Sequence, residues 1–318
     1  MKINQPLTWL ALATAVATTA CSDSSDAPAQ PLLDRYELSS PDSVPEGVAF
    51  DPVDRAFYAT SLQGGSITRI AADGTESLFR PADDRARIGG AKVDPAARRL
   101  WVCATQVDGL DDRVWVFDLD TGGLVLEFFL GALSTGGSCN DLALDDSGAA
   151  FVTDPANPFI YRLDPDSGEG TVFASDPLFA DASGAGLGLN GIAVSADGSA
   201  LIVARFFPAA LLRVNLPDGD VVTPVALSGD DLPAPDGLAV LDGDVYAVSG
   251  EAVSRVRPNT DGTAATVTTV PQISGLSTAT VAEGALYVIK SDVVNFVLGR
   301  PLNPPFEIFR VDLEAFDD

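Results

Sequence analysis

Residues 46–71 read EGVAFDPVDRAFYATSLQGGSITRIA, three short runs of β-forming residues separated by turn residues. The same three runs recur five more times along the chain. The first runs are EGVAFDP, GGAKVDP, NDLALDD, NGIAVSA, DGLAVLD and STATVAE, which start at residues 46, 89, 140, 190, 236 and 277. The mean period of about 46 residues is typical of propeller blades. The sequence therefore predicts an all-β fold, a six-bladed β-propeller.

The two ends of the repeat region predict how the ring closes. The last repeat ends with EIFRVDL (307–313) and has no fourth strand of its own, whereas RYELSS (35–40) precedes the first repeat as a spare strand. We expect this N-terminal strand to pair with the last blade, which would remove an exposed sheet edge. Residues 34–318 would then form one six-bladed propeller domain.

The N-terminus has the pattern of an export signal. Residues 1–21 read MKINQPLTWLALATAVATTAC, with a positive charge at Lys2 and an apolar run too short for a membrane span. The small residues before Cys21 resemble the end of a bacterial lipobox, so residues 1–21 are predicted to be a signal peptide and Cys21 a lipidation site. Thr18 stands where such boxes usually have Leu, which leaves ordinary secretion as the alternative.

A polar segment follows the predicted signal. Residues 22–33 show no apolar periodicity over most of their length and predict a flexible tether. Ser22 after the cysteine resembles the outer-membrane sorting pattern of Gram-negative lipoproteins. We therefore expect an exported, periplasmic lipoprotein anchored in the outer membrane, which touches the membrane only through its N-terminal lipid.

Composition excludes several classes of function. Among 318 residues, 45 acidic and 19 basic side chains give a formal net charge of −26, which repels nucleic acids. There is no histidine, so Ser-His-Asp catalysis and His-ligated zinc are excluded, and three cysteines are too few for a Cys₄ metal site. Any chemistry must rely on carboxylates, amides or a hard metal ion held by oxygen.

The opening position of the six repeats predicts such a metal site. First strands line the channel of a propeller, so equivalent positions lie at one height around it. Those positions are occupied by Glu46, Gly89, Asn140, Asn190, Asp236 and Ser277. The four that bear carboxylate or amide oxygens suit Ca²⁺. Asn140, Asn190 and Asp236 are also ordinary turn residues, but Glu46 is a poor turn former and turns do not explain the shared register.

Four motifs resemble the SMP-30/gluconolactonase/LRE-like family of six-bladed propellers. They are PEGVAFDP (45–52), CNDLALDDSG (139–148), LNGIAVSADG (189–198) and PDGLAVLDG (235–243). In that family a Glu, two Asn and an Asp in these motifs hold a catalytic Ca²⁺. The resemblance implies that Glu46, Asn140, Asn190 and Asp236 are the metal ligands. It also implies that Asp236 is the catalytic general base or nucleophile, with a role as ligand only as the alternative.

Two departures from the family concern the substrate. Sugar-lactone hydrolases of the family often have an Arg two residues before the first ligand Asn, where this chain has Ser138. The chain also lacks the histidine that assists catalysis in some relatives. A sugar lactone is therefore not specifically indicated.

Loops between second and third strands are predicted to surround the metal-side mouth. Among their residues we expect Arg205, Phe206, Asp154 and Gln106 to contact substrate; for Arg205 the alternative is a surface salt bridge. The apolar insertion 291–305 would act as a lid or pack on blade 1. Cys103 and Cys139 would meet near this mouth, as a disulfide or as two buried thiols.

These observations lead to one expected function and two alternatives. We expect a monomeric, calcium-dependent hydrolase of small-molecule lactones or related esters. The first alternative is a non-enzymatic, calcium-stabilised propeller that binds a ligand or partner, and the second is a phosphotriesterase-type hydrolase at the same site. The fold alone does not decide among them.

Overall fold

The computed structural model describes Met1 and residues 30–40, 43–83, 86–107, 112–181, 184 and 187–317. The chain divides into two compact units, Met1–Pro31 and Leu32–Asp318, and the described strands all belong to the second. Apart from Met1, the predicted signal peptide with Cys21 and most of the predicted tether lie outside the described residues. None of the helices in the described ranges is long and apolar enough to cross a membrane.

The strands form six small sheets, one for each sequence repeat, which confirms the six-bladed propeller. From the innermost strand outward, blade 1 contains β2 (Val48–Asp51), β3 (Ala56–Thr60), β4 (Ile67–Ala71) and β5 (Glu76–Arg80); blade 2 contains β6 (Ala86–Asp94), β7 (Arg99–Gln106), β8 (Arg113–Asp118) and β9 (Leu124–Phe129); blade 3 contains β10 (Leu142–Leu144), β11 (Ala150–Thr153), β12 (Phe159–Leu163) and β13 (Gly170–Ser175).

The other three blades follow the same order with two additions. Blade 4 contains β14 (Leu189–Val194), β15 (Ala200–Arg205), β16 (Ala210–Asn215) and β17 (Val222–Pro224); blade 5 contains β19 (Leu238–Leu241), β20 (Asp244–Ser249), β21 (Ala252–Pro258), β22 (Ala264–Pro271) and the edge strand β18 (Ala226–Gly229); blade 6 contains β23 (Leu276–Ala282), β24 (Ala285–Lys290), β25 (Glu307–Arg310) and β1 (Arg35–Glu37). The short helix α1 (Val293–Val297) lies in the insertion of blade 6, and β18 pairs with β22 in parallel.

Burial explains why the middle strands are continuous apolar runs. Five consecutive residues of β7, from Leu100 to Ala104, are buried, because both faces of the strand pack against neighbouring blades. The outer strand β9 is mostly exposed and buries only Phe128. The sequence therefore specifies the middle of each blade more strongly than its rim.

The apolar core is divided among the junctions between blades. Buried apolar side chains of the described residues form six clusters, and each cluster joins two neighbouring blades. One of them packs Phe57 of blade 1 against Tyr287 and Ile308 of blade 6. The ring is therefore closed by the same apolar packing that joins its other blades.

The N-terminal strand completes blade 6, as predicted. β1 pairs antiparallel with β25, with Tyr36 opposite Ile308. Tyr36 is buried, and its hydroxyl donates a hydrogen bond to the Ala72 carbonyl of blade 1 at 3.1 Å. The strand thus fills the outer edge of the last blade and also ties it to the first.

Candidate metal centre and channel mouth

The six opening positions lie around the channel, and their main-chain carbonyls form a closed circle of hydrogen bonds. Each carbonyl accepts one bond from the preceding blade. The donors and acceptors are Thr60 Oγ1 to Gly89 (2.8 Å), Gly90 N to Asn140 (3.2 Å), Thr153 Oγ1 to Asn190 (2.6 Å), Gly191 N to Asp236 (2.8 Å), Gly237 N to Ser277 (2.9 Å) and Ser277 Oγ to Glu46 (2.9 Å). The main chain at the ring is therefore fixed from blade to blade, while its side chains remain available.

Close approach of neighbouring strands explains the glycines after the ring positions. A Cβ at Gly191 would lie 2.3 Å from the Asp236 carbonyl oxygen, and a Cβ at Gly237 would lie 2.0 Å from Thr278 Oγ1. No side chain fits at such distances, so glycine at these positions allows the innermost strands of neighbouring blades to lie close together. Close approach of the neighbouring strand is therefore the reason for glycine at these positions.

Three of the four predicted ligands present a buried oxygen that no hydrogen bond satisfies. The atoms are Glu46 Oε2, Asn140 Oδ1 and Asn190 Oδ1, which come from blades 1, 3 and 4. Buried polar atoms normally find a partner, and leaving one unpaired costs about 1–3 kcal/mol. Two carboxylates and two amides suit a hard cation such as Ca²⁺, so these residues fit a metal at the place where their free oxygens lie.

The carboxyl groups of the ring are held in an environment that disfavours their charge. Desolvation, together with the charges of Asp236 and Asp141, raises the pKa of Glu46 well above its usual value, and Lys92 opposes this. Desolvation and Asp141 raise the pKa of Asp236 to about 7, although Asn190 donates a hydrogen bond to its carboxylate. A bound cation would offset the same desolvation and repulsion.

Gly89, the ring position without a side chain, makes room for Glu46. A Cβ at Gly89 would lie 3.0 Å from Glu46 Oε2, which is tighter than ordinary contact. The carboxylate of blade 1 thus extends into the place that blade 2 leaves empty. Ser277, the sixth ring residue, uses its hydroxyl in the carbonyl circle.

A further carboxylate, that of Asp141, lies beside the ring and was not among the residues predicted from the sequence. Asp141 is 4% exposed; its Oδ1 accepts from Leu142 N at 2.8 Å and from Lys92 Nζ at 3.3 Å, and its Oδ2 has no partner. Its departure from the glycine that four other repeats have after the ring position was the available signal. No group of three or more His, Cys, Asp and Glu side chains spaced for a metal occurs in the described ranges, so a metal here would depend on the amides.

Two buried carboxylates hold the segment that leads into Asn140. Asp112 accepts from Ser138 Oγ at 2.5 Å and from Cys139 N at 3.2 Å, and burial raises the pKa of Asp112. Asp154 accepts from Ser138 N at 3.0 Å and from Tyr161 OH at 2.6 Å. The structure also joins Cys103 and Cys139 in a disulfide, with their Cα atoms 5.5 Å apart.

These contacts change the interpretation of Asp154. Its side chain was expected to contact substrate, but the residue is 0% exposed and both carboxylate oxygens accept several hydrogen bonds. Asp154 therefore positions the approach to Asn140 and has no surface for a substrate. The expectation failed because loop position in a repeat does not reveal side-chain direction.

The other predicted mouth residues are partly exposed. Gln106 ends β7 and Phe206 follows β15, and the neighbouring Phe207 is 51% exposed. The Arg205 guanidinium donates to the carbonyls of Leu178 and Pro208, at 2.8 and 2.9 Å. Arg205 thus holds together the connection between blades 3 and 4 and the loop after β15 through main-chain carbonyls.

The insertion of blade 6 combines packing with exposed apolar surface. Val293 and Phe296 pack against the cluster between blades 6 and 1, and the Arg87 guanidinium of blade 2 lies 5.5 Å from the Phe296 ring centre. Val297 is 71% exposed, and Val294 and Leu298 are exposed as well. Val293 and Phe296 thus meet the packing alternative, whereas the lid alternative stays a prediction.

Farther along the first strands, on the other side of the ring, the channel widens into a cavity of about 290 Å³. Residues two to four positions after the ring line it, and all except Lys92 and Thr280 are apolar. Its lining includes Lys92 but none of the predicted mouth residues.

No protein-family model and no curated protein matches the chain. Several solved structures do match the chain in fold. The Malassezia sympodialis allergen Mala s 1 aligns with a TM-score of 0.72 at 15% identity, over 90% of this chain and 98% of the allergen. A gluconolactonase from Xanthomonas campestris, XC5397, aligns with a TM-score of 0.60 at 20% identity, over 85% and 89% of the two chains.

A PQQ-bound aldose sugar dehydrogenase from Streptomyces coelicolor aligns with a TM-score of 0.58 at 16% identity, over 87% of this chain and 97% of the dehydrogenase. An allergen, a gluconolactonase and a sugar dehydrogenase thus share this architecture. At such identities the likeness shows the fold alone, a six-bladed β-propeller whose solved neighbours include a gluconolactonase.

Proposed function

We propose that the chain is a calcium-dependent hydrolase of lactones or related esters, with the metal at the ring of Glu46, Asn140, Asn190 and Asp236. The observation that carries this proposal is the set of three buried, unpartnered oxygens on Glu46, Asn140 and Asn190. They come from three blades and share one repeat position, so coincidental loss of three hydrogen bonds is a poor explanation. The gluconolactonase among the structural neighbours supports the same assignment.

The residues of the ring would divide the work. Glu46, Asn140 and Asn190 would hold the ion by the oxygens that have no other partner. When bound, Ca²⁺ supplies Lewis-acid polarisation of a substrate oxygen and charge stabilisation. Asp236 keeps some exposed surface on the channel, and we assign it the proton transfer or nucleophilic attack that opens the ester. Water completes the hydrolysis and yields an acid and an alcohol.

The mouth favours a substrate with apolar groups. Four apolar side chains are exposed around it: Phe207, Val294, Val297 and Leu298. The Arg205 guanidinium donates to two main-chain carbonyls. Ser138, which stands where sugar-lactone hydrolases often have Arg, is held by Asp112. We therefore propose an alkyl or aryl lactone or ester ahead of a free sugar lactone. The N-terminal lipid anchor and periplasmic location are proposed with it from the sequence of residues 1–22.

Calorimetric titration of Ca²⁺ into chelator-treated protein tests the metal centre. We expect one ion to bind per chain and Asn140→Ala to abolish binding, because the amide oxygen of Asn140 would be lost from the ring. Asn259→Ala is the matched control, since Asn259 lies in an exposed turn of blade 5 and should leave binding unchanged. Absence of binding to the unmodified protein at millimolar Ca²⁺ would refute the proposal.

A panel of aryl esters, alkyl lactones, gluconolactone and an aryl phosphotriester then tests the reaction. Turnover of esters or lactones that chelator removes and Ca²⁺ restores is expected, and Asp236→Asn should lower it by at least about 100-fold if Asp236 transfers the proton. Faster turnover of the phosphotriester would favour the second alternative. Calcium binding without turnover of any member would favour a propeller that binds its ligand without chemistry.

A further inference from the structure

Two residues depart from the repeat pattern at the ring, and they contact each other across blades 2 and 3. At the position after the ring residue, four repeats have glycine and the sixth has Thr278, whereas blade 3 has Asp141. Two positions farther on, four repeats have alanine and the sixth has Thr280, whereas blade 2 has Lys92. Lys92 Nζ donates to Asp141 Oδ1 at 3.3 Å. The two charged departures thus form one ion pair.

This pair lies next to the proposed metal ligands. Asp141 directly follows Asn140, and its charge acts on both Glu46 and Asp236, while the charge of Lys92 acts on Glu46. Lys92 lines the channel cavity below the ring and is the charged residue of that otherwise nearly apolar lining. Its ammonium has Asp141 as its described partner. An ammonium in such a place is costly unless it balances carboxylates nearby.

Three carboxyl groups and one ammonium determine the net charge around the ring. Three carboxyl groups, those of Glu46, Asp141 and Asp236, lie at the ring or directly beside it and bring three negative charges when ionised. Lys92 cancels one of them and leaves two, which match a divalent cation. Without the ammonium, three negative charges would remain, and Asp141 Oδ1 would keep only its hydrogen bond from Leu142 N.

We propose that Lys92, held by Asp141, sets the charge preference of the metal centre, so that the ring favours a divalent cation over a trivalent one. This inference rests on the proposed function, because it concerns the same metal site. Lys92 is a positioning residue here: it acts on the cation through the charge balance of the ring and contacts no substrate. An ion pair that only joined blades 2 and 3 would affect stability but would not distinguish between cations.

The test compares Ca²⁺ with Tb³⁺, which has a similar radius and prefers the same oxygen ligands but carries one more charge. The affinity of each ion for the whole protein is measured by calorimetry and by competition. In Lys92→Met, the ratio of Tb³⁺ to Ca²⁺ affinity should rise about tenfold or more over that of the unmodified protein, because a unit charge near the ion interacts more strongly with the trivalent ion. Lys92→Arg, which keeps the charge, should leave the ratio near its original value.

A second variant keeps the inference testable if Lys92→Met does not fold. Asp141→Asn leaves the ammonium without its carboxylate, so the ratio should fall below that of the unmodified protein by a similar factor. Lys92→Met combined with Asp141→Asn restores two negative charges and should return the ratio toward its original value. The same ratio in all binding-competent variants would overturn the inference while leaving the calcium site intact. Failure of the unmodified protein to bind Ca²⁺ would overturn both proposals.

Discussion

At the scale of single residues, the candidate centre depends on which atoms are occupied and which are free. Main-chain carbonyls at the six opening positions are used in the hydrogen-bond circle, whereas side-chain oxygens of Glu46, Asn140 and Asn190 are not. This division means that the backbone is fixed before any ion arrives. A site prepared in this way loses little conformational entropy on binding.

Gly89→Ala should weaken calcium binding without unfolding the propeller. The new methyl group would lie 3.0 Å from Glu46 Oε2 and would displace the carboxylate that the empty position accommodates. We expect a loss of affinity of about five- to tenfold, equivalent to roughly 1 kcal/mol of strain, measured by calorimetry. Gly250→Ala is the matched control, because a Cβ at Gly250 meets no atom within 4 Å. Equal affinities of the two variants would contradict this account of Gly89.

The sequence predicted the ring residues but not their surroundings, and the reason is physical. Equal spacing in six repeats fixes height around the channel, so Glu46, Asn140, Asn190 and Asp236 could be chosen from register alone. The Lys92–Asp141 pair joins residues 49 positions apart, and its geometry depends on side-chain directions that no spacing encodes. For the same reason Asp154 was placed at the mouth, although its side chain turns inward.

At the scale of secondary-structure elements, the apolar patterns of the middle strands predicted the blades, whereas the additional edge strand β18 was not predicted. The edge strand β18 is short and has only one residue that is not exposed, so it carries no periodic pattern. The three-residue strand β1 could be predicted because blade 6 lacked a fourth strand, which is a constraint from the whole ring and not from local sequence.

The disulfide links the strand β7 to Cys139, the residue before Asn140 of the candidate metal centre. Its cysteines are 36 residues apart, and constraint of a loop of that length in the unfolded chain is worth about 4 kcal/mol in the chain-entropy model. The double variant Cys103→Ala/Cys139→Ala should therefore lose roughly 2–4 kcal/mol of unfolding free energy. Urea unfolding followed by the fluorescence of Trp101 and Trp115 measures this loss.

The control for this variant is the unmodified protein under reducing conditions, which should unfold at nearly the same urea concentration as the double variant. Cys21→Ala, outside the described residues, should unfold like the unmodified protein. An unfolding midpoint of the double variant that matches the oxidised protein would show that the bond contributes nothing to stability.

At the scale of the whole molecule, we expect stability to depend on closure of the ring. A substitution at Tyr36 of β1 tests this expectation. The Tyr36 ring packs between blades 6 and 1, and its hydroxyl reaches Ala72. Tyr36→Ala should lower the free energy of unfolding by about 3 kcal/mol or more, as for other buried aromatic residues. Glu37→Ala, on the exposed face of the same strand, should change it by less than about 0.5 kcal/mol.

Thermal unfolding of both variants checks this expectation. A lower melting temperature for Tyr36→Ala alone would support closure by β1 as a main source of stability. Equal melting temperatures would mean that the ring remains closed through the apolar junction between blades 6 and 1 without help from the N-terminal strand.

The pairing of β1 with β25 also has a consequence for how the protein is made. Arg35 and Glu307, which form an ion pair across this junction, are separated by 272 residues. A ribosome that adds about 5–20 residues per second completes β1 tens of seconds before its partner strand exists. Among the described strands, β1 is made first but pairs last. In a nascent chain interrupted before Glu307, β1 has no partner strand, so the ring cannot close. Closure therefore requires synthesis to have passed Arg310, and a protease that removes open chains would spare only chains made at least that far.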